Sequence, residues 1–202
     1  MRASSEVARV AIRRAATDVF CDRGYRASTL EEIGARVGVT RGNVLHHFGS
    51  KAGLLAAVTD PCLRALSDLL AAMRVSDPPT PRQRRQVITE ITALLVEHRG
   101  AVRLLLNDVA ARSEIGLDER SPQLWAQLVV LLVGEGATRD DVVRVAATVG
   151  AVSQPLAGSW VDFEDARTRA VLVDAAVRVI DRDSAIRTTS GAMAGSADAV
   201  SA

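Results

Sequence analysis

The side chains best suited to chemistry in this chain are hydrogen-bonding groups crowded between positions 41 and 51. Arginine can pair with guanine and asparagine with adenine through two parallel hydrogen bonds, whereas histidine and lysine suit backbone phosphate. Lys51 is the single lysine among 25 Lys and Arg residues, so its position is informative. This combination predicts contact with duplex DNA through Arg41, Asn43, His46 and His47.

The elements that must position these groups are two short helices joined by a tight turn. Thr29 and Glu32 have the spacing of a capping box, which predicts a helix reaching about Val37. Residues 38–40 form the turn, and its last residue, a threonine, can cap a helix over residues 41–47. Such a pair after one amphipathic helix is typical of a helix-turn-helix, whose second helix enters the major groove.

The rest of the chain also has helical periodicity, without useful strand-like alternation, so we predict an all-α fold of about nine helices. The domains expected are a DNA-binding head over residues 1–50, a ligand-binding and dimerising body over 51–182, and a disordered small-residue tail over 183–202. The predicted helices outside the helix-turn-helix are Glu6–Arg23, Lys51 to about Val75, Pro81–Arg99, Ala101 to about Arg112, Ser121–Gly134, residues 139 to 150–157, and Glu164–Arg182.

Charge is distributed unevenly along the chain. Residues 1–59 hold nine basic and five acidic residues, and the remainder holds 16 basic and 19 acidic ones. A basic head on a mildly acidic body suits a polyanionic partner. The longest apolar run, Leu128–Val133, is too short to span a bilayer and no signal peptide is evident, so we expect a cytoplasmic protein. The two cysteines lack metal-ligand spacing, and neither a metal nor a cofactor is expected.

The segment from Phe20 to Lys51 resembles the N-terminal signature of the TetR family of bacterial transcriptional regulators. The resemblance extends over about Ala11 to Val58, whereas the C-terminal two-thirds agrees only in its helix pattern. The positions in register are Gly24, Tyr25, Thr29, Ile33, Gly38, Val39, Gly42, His47, Phe48 and Lys51.

The resemblance implies a role for each matching position. Thr29 would cap the second helix and touch phosphate, Arg41, Gly42 and Asn43 would face bases, and His47 and Lys51 would bind phosphates. The full set of DNA-binding residues predicted is Thr29, Thr40, Arg41, Gly42, Asn43, Leu45, His46, His47 and Lys51.

Two positions depart from the family pattern. The family usually has a phosphate-binding tyrosine where this chain has Leu45, so one hydrogen bond to DNA is lost. Gly34 replaces a usual alanine within the second helix, which costs about 1 kcal/mol of helix propensity unless close packing requires it.

The body is expected to dimerise and to hold a small-molecule effector. Residues 142–152 and 170–180 are apolar nearly all round, which predicts burial on several sides, and the resemblance implies a four-helix homodimer interface. Two heads would then meet palindromic operator DNA. A mostly apolar pocket with a few polar groups is predicted among the middle helices. Its candidate lining residues are Leu66, Leu94, His98, Arg103, Asn107, Trp125 and Gln154.

The leading hypothesis is therefore a repressor released from its operator by a small molecule, and three alternatives stay open. A helical-bundle enzyme is disfavoured, because di-iron bundles need Glu-x-x-His and none of the three histidines has glutamate three residues earlier. A regulator controlled by a protein partner would differ in lacking an enclosed cavity. Activation in place of repression depends on operator position, which the chain does not encode.

Overall fold

The computed structural model describes residues 2–158, 162–163 and 165–181, and these residues form ten α-helices and no strand. The all-α prediction is confirmed, with ten helices instead of about nine. The predicted tail over 183–202 and the predicted helix ends Glu164 and Arg182 lie outside the described residues. The helices are α1 (Arg2–Arg23), α2 (Leu30–Arg36), α3 (Arg41–Phe48), α4 (Lys51–Ala72), α5 (Pro81–Glu97), α6 (Arg99–Asn107), α7 (Val109–Glu114), α8 (Leu117–Val133), α9 (Arg139–Ala157) and α10 (Ala166–Asp181).

Buried apolar side chains form two clusters. The head core joins α1, α2 and α3 to the first half of α4, and it also takes in Leu104 from α6 and Ala111 from α7. The body core joins the second half of α4 to α5, α6, α8, α9 and α10. Helix α4 therefore contributes Leu55 to the head core and Leu70 to the body core, and α6 likewise contributes to both.

Close packing between α1 and α6 explains the glycine at position 100. Gly100 lies within the first turn of α6, whereas α5 ends at Glu97 with His98 as its C-cap. A β-carbon at position 100 would lie 2.6 Å from Thr17 Cγ2 of α1. Glycine at position 100 allows the two helices to approach each other closely. The prediction that α5 continues to Arg99 was wrong, because α5 ends at Glu97.

The predicted helix from Ala101 to Arg112 is divided in two at Asp108. The Asp108 carboxylate accepts a hydrogen bond from the Ala111 N–H at 2.9 Å and so caps α7. Helix α8 begins at Leu117 instead of the predicted Ser121, and Pro122 lies inside it. Pro122 cannot donate to the Asp118 carbonyl, and the Ser121 hydroxyl lies 3.4 Å from that oxygen and donates to it instead.

Ion pairs fasten α10 to α5. Arg84 contacts Asp181 at 2.7 Å, and Arg85 pairs with Asp174. Asp174 therefore faces α5. None of the described helices has both the length and the hydropathy needed to cross a membrane.

Candidate nucleic-acid interface

The turn between α2 and α3 is set by local backbone geometry. Gly38 has a φ of +71°, which glycine adopts without strain, and the Val39 N–H donates to the Gly34 carbonyl at 2.9 Å. Ile33 of α2 and Val44 of α3 are fully buried in the head core. The two helices are thus held at a fixed angle by one hydrogen-bonded turn and two buried side chains.

At Gly34 the turn approaches the backbone of α2 closely. A β-carbon at position 34 would lie 2.6 Å from the Val39 carbonyl oxygen and 3.4 Å from the Thr40 carbonyl carbon. Both neighbours are backbone atoms, which cannot move aside as a flexible side chain does. The lost helix propensity is therefore the cost of bringing the turn against α2.

Helix α3 has one buried side and one exposed side. Its buried side carries Val44, whereas Arg41, Gly42, Asn43 and His46 are exposed. Leu45 and His47 are partly buried. The exposed groups are those whose chemistry matches base edges, and their contacts with DNA stay a prediction.

The first turn of α3 is closed by a reciprocal pair of hydrogen bonds. The Thr40 hydroxyl accepts from the Asn43 N–H at 3.3 Å and donates to Asn43 Oδ1 at 2.6 Å. The predicted cap at Thr40 is confirmed. Asn43 Oδ1 is therefore already occupied, so a bidentate pairing with adenine requires Asn43 to exchange this bond. Arg41 is likewise engaged, by Glu31 of α2 at 3.1 Å.

The cap of α2 differs from the predicted capping box. Thr29 is exposed, and its hydroxyl accepts from the Glu32 N–H at 3.2 Å as expected. The Glu32 carboxylate, however, accepts from Arg23 of α1 at 2.8 Å. The ion pair between α1 and α2 replaces the second half of the box, because opposite charge outcompetes a neutral backbone donor.

Lys51 is the first residue of α4 and packs against an aromatic ring. Its Nζ donates to the Arg26 carbonyl at 3.1 Å and lies 4.6 Å from the centre of the Tyr25 ring. Partial burial lowers the pKa of Lys51, an effect opposed by the carboxylates of Glu114 and Asp108. A cation held over a ring at a helix N-terminus is well placed for phosphate, although the ring restricts its reach.

A residue that sequence reasoning missed is Asp108, which links the head to the body through hydrogen bonds. Its Oδ2 accepts from the buried Tyr25 N–H at 2.5 Å, while its Oδ1 caps α7. Tyr25 is the residue on which Lys51 rests. An aspartate before a short helix is a local signal for a cap, but no local signal indicates a partner 83 positions away.

The body contains an open cavity of about 580 Å³ that is lined by residues of α4, α5, α6, α8 and α9. Two of the predicted lining residues, Leu66 and Trp125, do line it. The other five do not: Leu94, His98, Arg103, Asn107 and Gln154.

Each of the polar residues predicted for the pocket has another environment. Arg103 lies 3.6 Å from Asp22 of α1, and Asn107 donates to the Arg103 and Ala157 carbonyls. His98 forms the junction of α5 and α6, and Gln154 is exposed on α9. Arg103 and Asn107 share one side of α6, as expected from their spacing, but that side meets the head and the end of α9 instead of the cavity. Leu94 packs against the body core.

Both cysteines are free thiols. Burial raises the pKa of the Cys21 and Cys62 thiols to about 11. Cys21 donates to the Gly100 carbonyl at 3.5 Å, and Cys62 lines the cavity. Within the described part of the chain, no group of three or more His, Cys, Asp or Glu side chains could hold a metal ion.

The fold and the exposed helix α3 define a helix-turn-helix protein with an all-helical body. Residues 12–58 match the family model described as bacterial regulatory proteins, tetR family. This part of the chain is therefore similar to that family of regulatory proteins, as the sequence resemblance had indicated.

Similar proteins agree with this placement. The chain is 39% identical over 77 residues to the HTH-type transcriptional repressor Rv3405c of Mycobacterium tuberculosis, a match spanning 38% of this chain and 41% of that relative. It is 27% identical over 182 residues to the HTH-type transcriptional activator FasR of Mycolicibacterium smegmatis, spanning 87% and 76%. A TetR-like transcriptional regulator from Rhodococcus sp. RHA1 has a TM-score of 0.65 at 22% identity, over 86% of this chain and 93% of that structure, which shows the shared fold.

Proposed function

We propose that this protein is a homodimeric transcriptional repressor that binds palindromic operator DNA and releases it when a small molecule occupies the body. The DNA-binding unit would be residues 1–50, with ligand binding and dimerisation from residue 51 to 182. The observation that carries the proposal is the two-sided nature of α3, in which Val44 is fully buried while Arg41, Asn43 and His46 are exposed. A short helix presented in this way fits the major groove.

Base reading and phosphate binding are assigned to different residues. Arg41 and Asn43 would read base edges after exchanging their bonds with Glu31 and Thr40. Lys51, with Thr29 and His47, would bind phosphates and fix the register of the head. The basic excess of residues 1–59 would add attraction that does not depend on base sequence.

A mobility-shift assay with DNA flanking the coding region, repeated across a salt series, tests the DNA-binding role. Lys51→Ala should weaken binding to all sequences and reduce the salt slope by about 1, whereas Asn43→Ala should mainly relax base choice. Arg139→Ala is a matched control, because Arg139 is also the first residue of a helix that follows a capped turn but belongs to α9. If neither head variant changes affinity, or if the control changes it equally, the assignment of α3 is wrong.

The proposed dimer interface is the exposed small-residue side of α9 and α10. Val143, Ala146 and Ala147 are exposed at helical spacing on α9, and Val171 and Ala175 are exposed on α10. A two-fold contact buries the same surface of both protomers, so Ala147→Glu should bury one unpaired charge from each protomer in the interface.

Light scattering measures the outcome directly. We expect a dimer for the parent chain and for Ala126→Glu, which alters an exposed alanine of α8, and a monomer for Ala147→Glu. A monomeric parent chain at micromolar concentration would refute the proposal.

Asp108 offers a physical route from the cavity to the head. Leu105 and Leu106 of α6 line the cavity, and α6 ends at the aspartate that holds the Tyr25 backbone. A ligand that shifts α6 would therefore move the ring on which Lys51 rests. Such a ligand changes DNA affinity only by its preference for one of the two arrangements.

A further inference from the structure

The cavity in the body is lined almost wholly by hydrocarbon. No charged side chain lines it, and its hydroxyl groups belong to Ser121, Thr148 and Ser153. Thr148 donates to the Arg144 carbonyl at 2.8 Å and Ser121 to the Asp118 carbonyl, so these two hydroxyl protons are directed into their own helices. A charged or strongly polar group placed inside would lose its water without replacement. The part of a ligand that fills this space must therefore be apolar.

A second, more polar cavity lies beside the first and shares part of its lining. It measures about 300 Å³ and includes Asp60 and Arg64 from α4 with Gln123 and Gln127 from α8. Three residues line both cavities: Leu63, Leu117 and Leu124. An apolar chamber and a polar chamber thus share one wall.

The polar cavity is lined by one cationic side chain, Arg64, whose ion pair with Asp60 is long. Arg64 and Asp60 are one helical turn apart, their nearest charged atoms are 4.0 Å apart, and the Arg64 side chain is 72% exposed. A guanidinium group has five N–H donors, so a pair at this distance leaves donors for another anion. The amides of Gln123 and Gln127 can donate to the same anion.

We propose that the ligand of this site is a single-chain amphiphile, with its alkyl tail in the apolar cavity and a carboxylate head at Arg64. The head exchanges with Asp60 at the guanidinium, and the tail displaces water from the chamber lined by Trp125 and Leu66. This assignment rests on the proposed function only for its regulatory consequence, since the binding itself is independent of DNA.

Fluorescence quenching tests the position of the tail. The chain has two tryptophans, Trp125 and Trp160, so a Trp160→Phe background leaves Trp125 as the only indole. ω-Bromododecanoate should quench Trp125 saturably, because bromine quenches indole on contact, and dodecanoate should compete for the site. Butyrate, with the same head and almost no tail, should not compete.

Arg64→Gln tests the position of the head. It should weaken dodecanoate binding about three- to fivefold, the effect expected of one exposed ion pair, and leave dodecanol binding unchanged. Arg139→Gln, on a distant surface, should alter neither. Absent quenching, competition by butyrate, or equal loss for acid and alcohol would overturn the proposal.

Mobility shifts separate this inference from the proposed function. Specific DNA binding by a chain that ignores dodecanoate would overturn the ligand assignment and leave the DNA-binding role intact. Dodecanoate binding by a chain without DNA affinity would overturn the DNA-binding role and leave the ligand assignment intact. Dodecanoate binding together with a weakened DNA complex supports both.

Discussion

Replacing Gly34 by alanine should raise the helix propensity of α2 but also introduce a steric clash. We expect the clash to have the larger effect on the free energy of unfolding. In an unhindered helix the change stabilises by about 1 kcal/mol. Here the new β-carbon would lie 2.6 Å from the Val39 carbonyl oxygen, whereas ordinary contacts begin at 3.4 Å. The turn must therefore move, although it is fixed by the Val39 N–H bond to Gly34. Such overpacking costs about 1–3 kcal/mol.

We therefore expect Gly34→Ala to lower the free energy of unfolding by about 1 kcal/mol net, which is a fall of about 2–4 °C in Tm for a chain of this size. DNA affinity should fall as well, because α3 rotates relative to α2. Calorimetry and a mobility shift on the same preparation measure both quantities.

Gly42→Ala is the matched control for this experiment. The nearest atom to its new β-carbon is Thr40 Oγ1 at 3.6 Å, which is an ordinary contact. It should raise Tm by up to about 3 °C through propensity, yet weaken DNA binding, since this position is predicted to face bases. A rise in Tm for Gly34→Ala would refute the reasoning, because it would show that the turn yields without cost.

Two further predictions concern partly or fully buried polar groups. Asp108→Ala should lower the free energy of unfolding by about 2–4 kcal/mol, because it removes the cap of α7 and leaves the Tyr25 N–H unpaired. Asp108→Asn retains an acceptor and a good cap, so it should cost only about 1 kcal/mol in the same urea titrations. Equal losses for the two variants would contradict the double role of Asp108. The raised pKa of the Cys21 and Cys62 thiols stabilises the protonated native state below pH 9, and this stabilisation should be lost as pH rises from 9 to about 11. Urea titrations over that range should show a smaller decline for the double alanine variant, and an identical decline would argue against burial as the cause.

The helix-turn-helix was predictable from the sequence because its signals are local. Thr40 and Ser50 cap helices within three residues of themselves, and Gly38 and Gly49 supply positive φ where helices end. A glycine within a helix gives no such guidance. Gly34 and Gly100 are explained only by the backbone or helix that each approaches.

The cavity was less predictable, since periodicity shows which residues are buried but not where buried surfaces fail to meet. Leu66 and Trp125 were identified because large apolar side chains line most internal spaces. Arg103 and Asn107 were misplaced because their partners, Asp22 and Ala157, are distant in the chain. Polar groups were assigned to the pocket by chemistry alone, whereas long-range pairing had already engaged them.

The sharing of α4 and α6 between the two cores has a consequence for chimeric regulators. A fragment ending at residue 50 would lack Leu54, Leu55 and Leu104, which complete the packing around α1 to α3. A transplant onto a foreign scaffold should therefore include the chain to residue 58 together with the α1-facing side of α6. Exchange of operator preference between paralogues would then depend on matching the recipient's sixth helix, and a cut at the start of α4 would yield an insoluble hybrid.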